Sequence, residues 1–216
     1  GGDGNDVLAG GLGHDSITGG DGNDNINGGD GNDTIDSGAG SSETLAGGGG
    51  NDAISSSDLL VNTMPGASLV TGGAGIDTLT ILGGEVTVSL GTDIEHLAFT
   101  DGTFGSNGTG NALANSMTSG LANDQLIGAG GNDTYRVQAG DIAGEDTGGG
   151  TADHVIVESG SFTLDDQVEN ITMLGTGNAT GNDLNNILTS ADGFFNSLIG
   201  GLGNDTYNVH ADGPNT

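Results

Sequence analysis

Aspartate recurs along this chain at a spacing that points to one kind of chemistry. GGDGNDVLA (1–9), GGLGHDSIT (10–18), GGDGNDNIN (19–27) and GGDGNDTID (28–36) follow one another without a gap. After the degenerate ten-residue unit SGAGSSETLA (37–46), GGGGNDAIS (47–55) restores the pattern. The template is Gly-Gly-x-Gly-x-Asp-x-apolar-x. Its Asp slot holds Asp6, Asp15, Asp24, Asp33 and Asp52, and its apolar slot Leu8, Ile17, Ile26, Ile35 and Ile54. If one unit is half a coil, alternate units stack: Asp6 over Asp24, Asp15 over Asp33, and Asp24 over the turn near Ser42. Carboxylates in rows about 4.8 Å apart repel strongly when nothing lies between them. A hard divalent cation removes that repulsion. Calcium fits best, because it takes about six to eight oxygens and accepts the backbone carbonyls that Gly-rich turns expose. Magnesium demands stricter octahedral geometry. The chain has no Cys and no His cluster that would favour a softer metal.

The unit returns further along. GGAGIDTLT (72–80) fits fully, and SGLANDQLI (119–127), GAGGNDTYR (128–136) and GGLGNDTYN (200–208) fit well, adding Asp77, Asp124, Asp133 and Asp205 as candidate metal ligands. GGTADHVIV (149–157) resembles GGAGIDTLTI (72–81) and adds Asp153. GNALANSMT (110–118) and GNDLNNILT (181–189) carry Asn115 and Asn186 in the Asp slot. Asn is a neutral and weaker oxygen donor, so these read as structural rungs without metal.

A longer period lies above the short one. GNALANSMTS (110–119) matches GNDLNNILTS (181–190), and GAGGNDTYRV (128–137) matches GGLGNDTYNV (200–209). The expected organisation is a nonapeptide array over 1–58, then two copies of a β-spacer followed by repeat turns, over 59–137 and 138–216, the second cut short. Each copy is roughly 70–75 residues long.

These spacings dictate the elements. Gly-Gly-x-Gly-x-Asp is a turn, since Gly permits positive φ and close approach of neighbouring turns. The next three residues extend as a short strand with one apolar side chain inward. The spacers TLTILGGEVTVSL (78–90) and DHVIVESGSFTL (153–164) alternate apolar and polar residues and read as β. Leu59, Leu60, Val61 and Ser68, Leu69, Val70 flank Pro65 as a loop and short strand. Nothing reads as a long helix, so the class is all-β.

Composition narrows the function. The 216 residues include 47 Gly, 30 acidic groups and one basic residue, for a formal charge of -29. One Arg makes no basic patch, which excludes nucleic acid and docking on anionic lipid. No apolar run approaches a membrane span of about 18 residues. So thin an apolar supply under such self-repulsion does not sustain an ordinary globular core. Either the chain is disordered or cations belong to its fold. The sequence opens inside the repeat, with neither initiator Met nor signal peptide, and reads as an excerpt of a longer protein.

The nonapeptides at 1–36, 47–55 and 72–80, the departing copies at 110–136 and 181–208, and the spacers DIEHLAF and QVENITM ahead of GNDTY resemble the repeats-in-toxin (RTX) family of exported bacterial proteins. The resemblance implies a right-handed parallel β-roll, or β-solenoid, with several calcium ions between stacked turns. It implies that Gly2, Gly4 and Asp6 share an ion with Gly19, Asp21 and Asp24, and that Gly11, Gly13 and Asp15 share one with Gly28, Asp30 and Asp33. Ser42, Asn115, Asn186 and Asn196 depart from the motif. The family further implies one-step (type I) export, with folding triggered by calcium outside the cell. A non-catalytic structural role in a secreted or cell-surface protein follows: spacer, adhesin, or filament or surface-layer building block, with self-association through the solenoid ends. The alternative is an accessory module of an exported protease, lipase or alginate epimerase whose catalytic domain lies elsewhere.

Other readings are weaker. A flexible linker does not keep strict Asp and apolar slots. The loops lack the Gly and Glu positions of an EF-hand. A glycosidase pair needs two carboxylates, not one every nine residues. Ice binding needs regular Thr ranks, which are missing. His14, His96, His154 and His210 have no metal-ligand spacing, and no H-E-x-x-H or G-x-S-x-G occurs. Tyr135 and Tyr207 occupy apolar slots and read as core or end caps, and Phe194 and Phe195 as a bulge or packing patch.

Overall fold

The computed structural model describes residues 1–40, 43–57, 69–83, 85–100, 104–146, 148–194 and 196–210. The expected loop around Leu59, Leu60, Val61, Pro65 and Ser68 lies outside the described residues, as do Ser42 and Phe195. Every regular element among the described residues is a β-strand, and the strands wind into a parallel β-solenoid. Successive strands alternate between one long sheet and the sheets facing it.

The long sheet has 12 parallel strands. It runs from Gly2–Asp3 through Ser16–Asp21, Thr34–Ala39, Ala53–Ser56, Thr78–Ile81, His96–Phe99, Ser116–Thr118, Thr134–Val137, His154–Val157, Asn170–Met173 and Ile187–Thr189 to Thr206–Asn208. Facing it are Val7–Leu12, Asn25–Asp30, Thr44–Gly49 and Leu69–Ala74; then Thr87–Ser89, Asn107–Thr109, Gln125–Ile127 and Ile142–Gly144; then Phe162–Thr163, Gly177–Thr180 and Asn196–Ile199.

The register is the one the nine-residue period predicts. Leu8 pairs with Ile26 and Ile26 with Leu45; Ile17 pairs with Ile35 and Ile35 with Ile54. Two units therefore close one coil, and each apolar slot lies against the same slot one coil later. In the long sheet that column continues as Leu79, Leu97, Met117, Tyr135, Val155, Ile171 and Leu188, all buried.

Two residues beyond each slot lies a second inward column whose character changes along the chain. It begins as Gly19, Ser37 and Ser56, then becomes Ile81 and Phe99, and after Ser119 it is Val137, Val157 and Met173. Ser37 donates its hydroxyl to Ser56 at 2.8 Å. The spacers are thus rungs of the same solenoid with a wider apolar interior. The long sheet passes unbroken from Ala53–Ser56 to Thr78–Ile81 and from Thr134–Val137 to His154–Val157.

The turns require glycine for two reasons at once. Gly20 and Gly22 sit at φ +119° and +130°, and a Cβ on either would strike the Gly2 or Gly4 carbonyl of the coil before. Among the described residues no helix is long and apolar enough to cross a membrane.

Candidate metal sites

The residue just before each strand lies at a corner of the solenoid, and these corners stack into rows. Along the edge of the long sheet the row reads Asp15, Asp33, Asp52, Asp77, Glu95, Asn115, Asp133, Asp153, Glu169, Asn186 and Asp205. The opposite edge begins with Asp6, Asp24 and Glu43. Where the next coil puts a carboxylate at the corner, the corner amide donates to one of its oxygens. Asp15 N–H reaches Asp33 Oδ1 at 2.9 Å, Asp33 reaches Asp52 at 2.8 Å, Asp52 reaches Asp77 at 2.8 Å, and Asp77 reaches Glu95 Oε2 at 2.9 Å. Asp6 N–H reaches Asp24 Oδ1 at 2.8 Å and Asp24 reaches Glu43 Oε2 at 2.7 Å.

One oxygen of each such acceptor is thereby fixed, and at Asp24, Asp33, Asp52, Asp77, Asp133 and Asp153 the other is left over. Oδ2 of Asp6, Asp15, Asp24, Asp33, Asp52, Asp77, Asp133 and Asp153 is buried with no hydrogen-bond partner. A buried oxygen without a donor costs about 1–3 kcal/mol, and more when charged. Repeating that cost along two rows is tolerable only if something positive occupies the corners. The donor set suits calcium: hard oxygens only, carboxylates beside carbonyls, in turns with no side chain to block access. The first glycine of each turn supplies the space. A Cβ on Gly19 would meet Asp24 Oδ2 and the Ser37 carbonyl, and one on Gly28 would meet Asp33 Oδ2 and the Gly47 carbonyl.

The two ligand sets implied by the family resemblance fall on facing turns. The Gly2 and Gly4 carbonyls lie against Gly20 and Gly22, while Asp6 Oδ2 and the Gly19 carbonyl both border Gly1. The Gly11 and Gly13 carbonyls lie against Gly29 and Gly31, while Asp15 Oδ2 and the Gly28 carbonyl border Gly10. The Asp21 and Asp30 carbonyls also accept the Gly4 and Gly13 amides, at 2.6 and 2.7 Å.

Not every expected aspartate stands alike. Asp124 has both oxygens engaged, Oδ1 by the Ser106 amide at 2.7 Å and Oδ2 by the Gly120 amide at 2.6 Å. Asp205, in the last described coil, accepts the Asn186 amide at 3.0 Å.

The asparagine corners solve the same problem without a cation. Asn115 Oδ1 accepts the Asn111 amide at 2.8 Å, and its Nδ2 donates back to the Ile94 and Glu95 carbonyls at 3.1 and 3.3 Å. Asn186 repeats this with the Asn182 amide and the Val168 and Glu169 carbonyls. Asn111 and Asn182 each add two further bonds to carbonyls of the coil before. Asn196 follows the same plan, donating to Gly175 and Gly177 at 2.9 Å each. An amide supplies the donors that a carboxylate lacks.

Three carboxylates converge at one corner. Ligand atoms of Asp133, Glu145 and Asp153 lie within 4.8 Å of one another. Oδ2 of Asp133 and Asp153 and Oε2 of Glu145 have no hydrogen-bond partner. The Tyr135 hydroxyl donates to Glu145 Oε1, with the Gly144 carbonyl also in reach at 2.8 Å. Burial, with the charge of Asp153, pushes Asp133 up to about 6 despite the Asn115 amide. Burial, with the charges of Asp153, Asp133 and Glu169, pushes Glu145 up to about 8 against the pull of the Tyr135 hydroxyl. Burial likewise raises Asp52, Asp77 and Asp153.

The nonapeptide template missed three kinds of residue. Glu43 fills the corner expected near Ser42, because the ten-residue unit shifts the slot by one; reading back two places from Leu45 finds it. Glu95 and Glu169 precede Leu97 and Ile171 in the same way. The fifth-place asparagines form an outer ladder: Asn5 Oδ1 accepts the Asn23 amide at 2.9 Å, and Asn32 Oδ1 the Asn51 amide at 2.9 Å. Its signal was the recurring Asn-Asp pair. His14 takes that place in one turn, its Nδ1 accepting the Asn32 amide at 2.7 Å.

Residues 1–35, 37–58 and 109–141 match the family model described as RTX calcium-binding nonapeptide repeat (4 copies). No curated protein and no solved structure matches the chain. The matched stretches contain Asp6 to Asp52, Asp124 and Asp133, while Asp77, Asp153 and Asp205 continue the row outside them.

Proposed function

Because residues 1–35, 37–58 and 109–141 match the RTX calcium-binding nonapeptide repeat and the described residues wind into a β-solenoid, we propose that this chain is a stiff, calcium-folded segment of a secreted or cell-surface bacterial protein. The module is structural and binds calcium. Within it, Asp6, Asp15, Asp24, Asp33, Asp52, Asp77, Asp133 and Asp153 supply the carboxylates, and turn carbonyls such as those of Gly2, Gly4, Gly11, Gly13, Gly19 and Gly28 supply the remaining oxygens. Asp21 and Asp30 contribute through their carbonyls, and Asp124 and Asp205 are the weaker members. The stretches 1–58, 59–137 and 138–216 act as repeat units of one rod.

The observation that carries this reading is the stacked corner carboxylates, of which Asp24, Asp33, Asp52, Asp77, Asp133 and Asp153 each have one oxygen bonded and one buried and unpartnered. External calcium near millimolar would fill the corners, whereas the low cytosolic level leaves the chain unfolded for type I passage. A rod of parallel coils with open ends suits a spacer, an adhesin stalk or a filament unit. Circular dichroism with calcium titrated against a chelator tests it: a β spectrum with calcium and a coil spectrum without. A spectrum indifferent to calcium overturns it.

A further inference from the structure

We propose that Asp133, Glu145 and Asp153 form a three-carboxylate calcium site unlike the two-carboxylate corners of the repeat, with Tyr135 as the residue that positions Glu145. The proposal rests on the calcium reading above and assigns the ligands at one corner.

At the ordinary corners the atom facing Asp Oδ2 across the first glycine is a carbonyl of the next coil: Gly19 over Gly1, Gly28 over Gly10, Ser37 over Gly19. At Gly128 that place is taken by Glu145 Oε1 and the Tyr135 hydroxyl. Glu145 comes from outside the nonapeptide, just after the strand Ile142–Gly144. Asp133 and Asp153 are fully buried, each of the three carboxylates has a buried oxygen without a hydrogen-bond partner, and their ligand atoms lie within 4.8 Å of one another. No basic side chain balances them. The chain has a single Lys or Arg, Arg136, and it pairs with Glu158. His154, beside Asp153, is turned to Thr172 at 2.8 Å. Tyr stands in a slot that holds Met117 and Val155 in the neighbouring coils, and its hydroxyl ties Glu145 down. The backbone is also forced here: Ala129, in the second place of the turn, adopts φ +75°, where other turns use Gly. A third charge raises affinity for a hard cation, since ligand charge count tunes calcium binding.

Terbium, a calcium-sized luminescent ion, tests the site, because tyrosine sensitises its emission. The chain has two Tyr and no Trp, so Tyr207→Phe leaves Tyr135 as the only strong sensitiser. Titrating terbium into the calcium-folded Tyr207→Phe chain is expected to give sensitised emission that calcium reverses. Adding Glu145→Gln is expected to weaken terbium about 10–100-fold while the β spectrum in saturating calcium is unchanged. Calorimetry of Tyr135→Phe, which keeps the ring, is expected to show the tightest calcium class weakened with the same spectrum.

Equal terbium affinity with and without Glu145→Gln overturns the proposal. So does a dark Tyr207→Phe chain that still folds on calcium, which leaves the calcium reading intact. A chain indifferent to both ions overturns both. Should Glu145→Gln fail to fold, Glu145→Asp keeps the charge and shortens the reach; weakened terbium binding there supports the site, and unchanged binding overturns it.

Discussion

The backbone amide of Asp133 donates to Oδ1 of Asp153, twenty residues later, at 2.7 Å. The same bond joins Asp33 to Asp52 at 2.8 Å. One carboxylate oxygen per corner therefore belongs to the backbone, and the other is free for a cation. The fold holds each ligand in place through the coil before it, so binding and winding are coupled.

Replacing Asp33 with Asn removes one charge from a two-carboxylate corner while keeping its size. Calcium titration followed by circular dichroism is expected to show the folding midpoint moved to higher calcium. The stability lost in saturating calcium is on the order of 1–3 kcal/mol, the cost of a disrupted buried polar site.

Asn115→Asp is the reverse experiment. It deletes the Nδ2 donors to the Ile94 and Glu95 carbonyls and brings a carboxylate into the row between Glu95 and Asp133. Urea denaturation is expected to show a loss of about 1–3 kcal/mol at low calcium, with part of it recovered in high calcium. Asn186→Asp is expected to behave the same way, because its bonds repeat those of Asn115.

Ala129→Gly relieves a side chain held at φ +75°. A non-Gly residue there costs about 1–3 kcal/mol, and the extra unfolded-state freedom of Gly returns about 0.4–1 kcal/mol of that cost. A net gain of about 1 kcal/mol is expected in calcium, read as a higher urea midpoint with unchanged slope.

Acid should act in opposite senses on the chain with and without calcium. Glu145 rises from its ordinary 4.5 to about 8 and Asp133 from 3.8 to about 6, both through burial first. Between those ordinary values and the raised ones the folded state binds more protons than the unfolded state, so the metal-free chain gains stability as pH falls from about 8 towards about 4. Calcium competes with those protons, so its affinity falls over the same window. Circular dichroism in chelator at pH 8 and pH 5, beside calcium titrations at both, checks the two signs. A metal-free chain less ordered at pH 5 than at pH 8 contradicts the first.

Much of this was legible in the residues. Strict slots fixed the coil length, the stacking of Asp6 on Asp24 and Ile17 on Ile35, and the oxygen-only chemistry. Asn115 and Asn186 were readable as departures in the corner slot, and their amides bring donors that a carboxylate lacks. Glu43 was hidden by a single inserted residue that moves the corner and the apolar slot, Leu45, together by one place. Glu145 was hidden for another reason. It lies outside any repeat, and only the pairing of Ile142–Gly144 with Gln125–Ile127 brings it over Gly128. Tyr135, expected as core, is core at its ring and part of the corner at its hydroxyl. Tyr207, its counterpart in the second copy, is half exposed and instead accepts the Gly200 amide at 2.9 Å. Phe194, expected as a packing patch, is also partly exposed.

The change of the second inward column from Gly19, Ser37 and Ser56 to Ile81, Phe99, Val157 and Met173 gives ion withdrawal a direction along the thread. The opening windings have little oil inside and slacken at ion levels that still hold the greasy ones around Ile81 and Met173. When ions return, the greasy windings close first and give the opening stretch an edge to wind against.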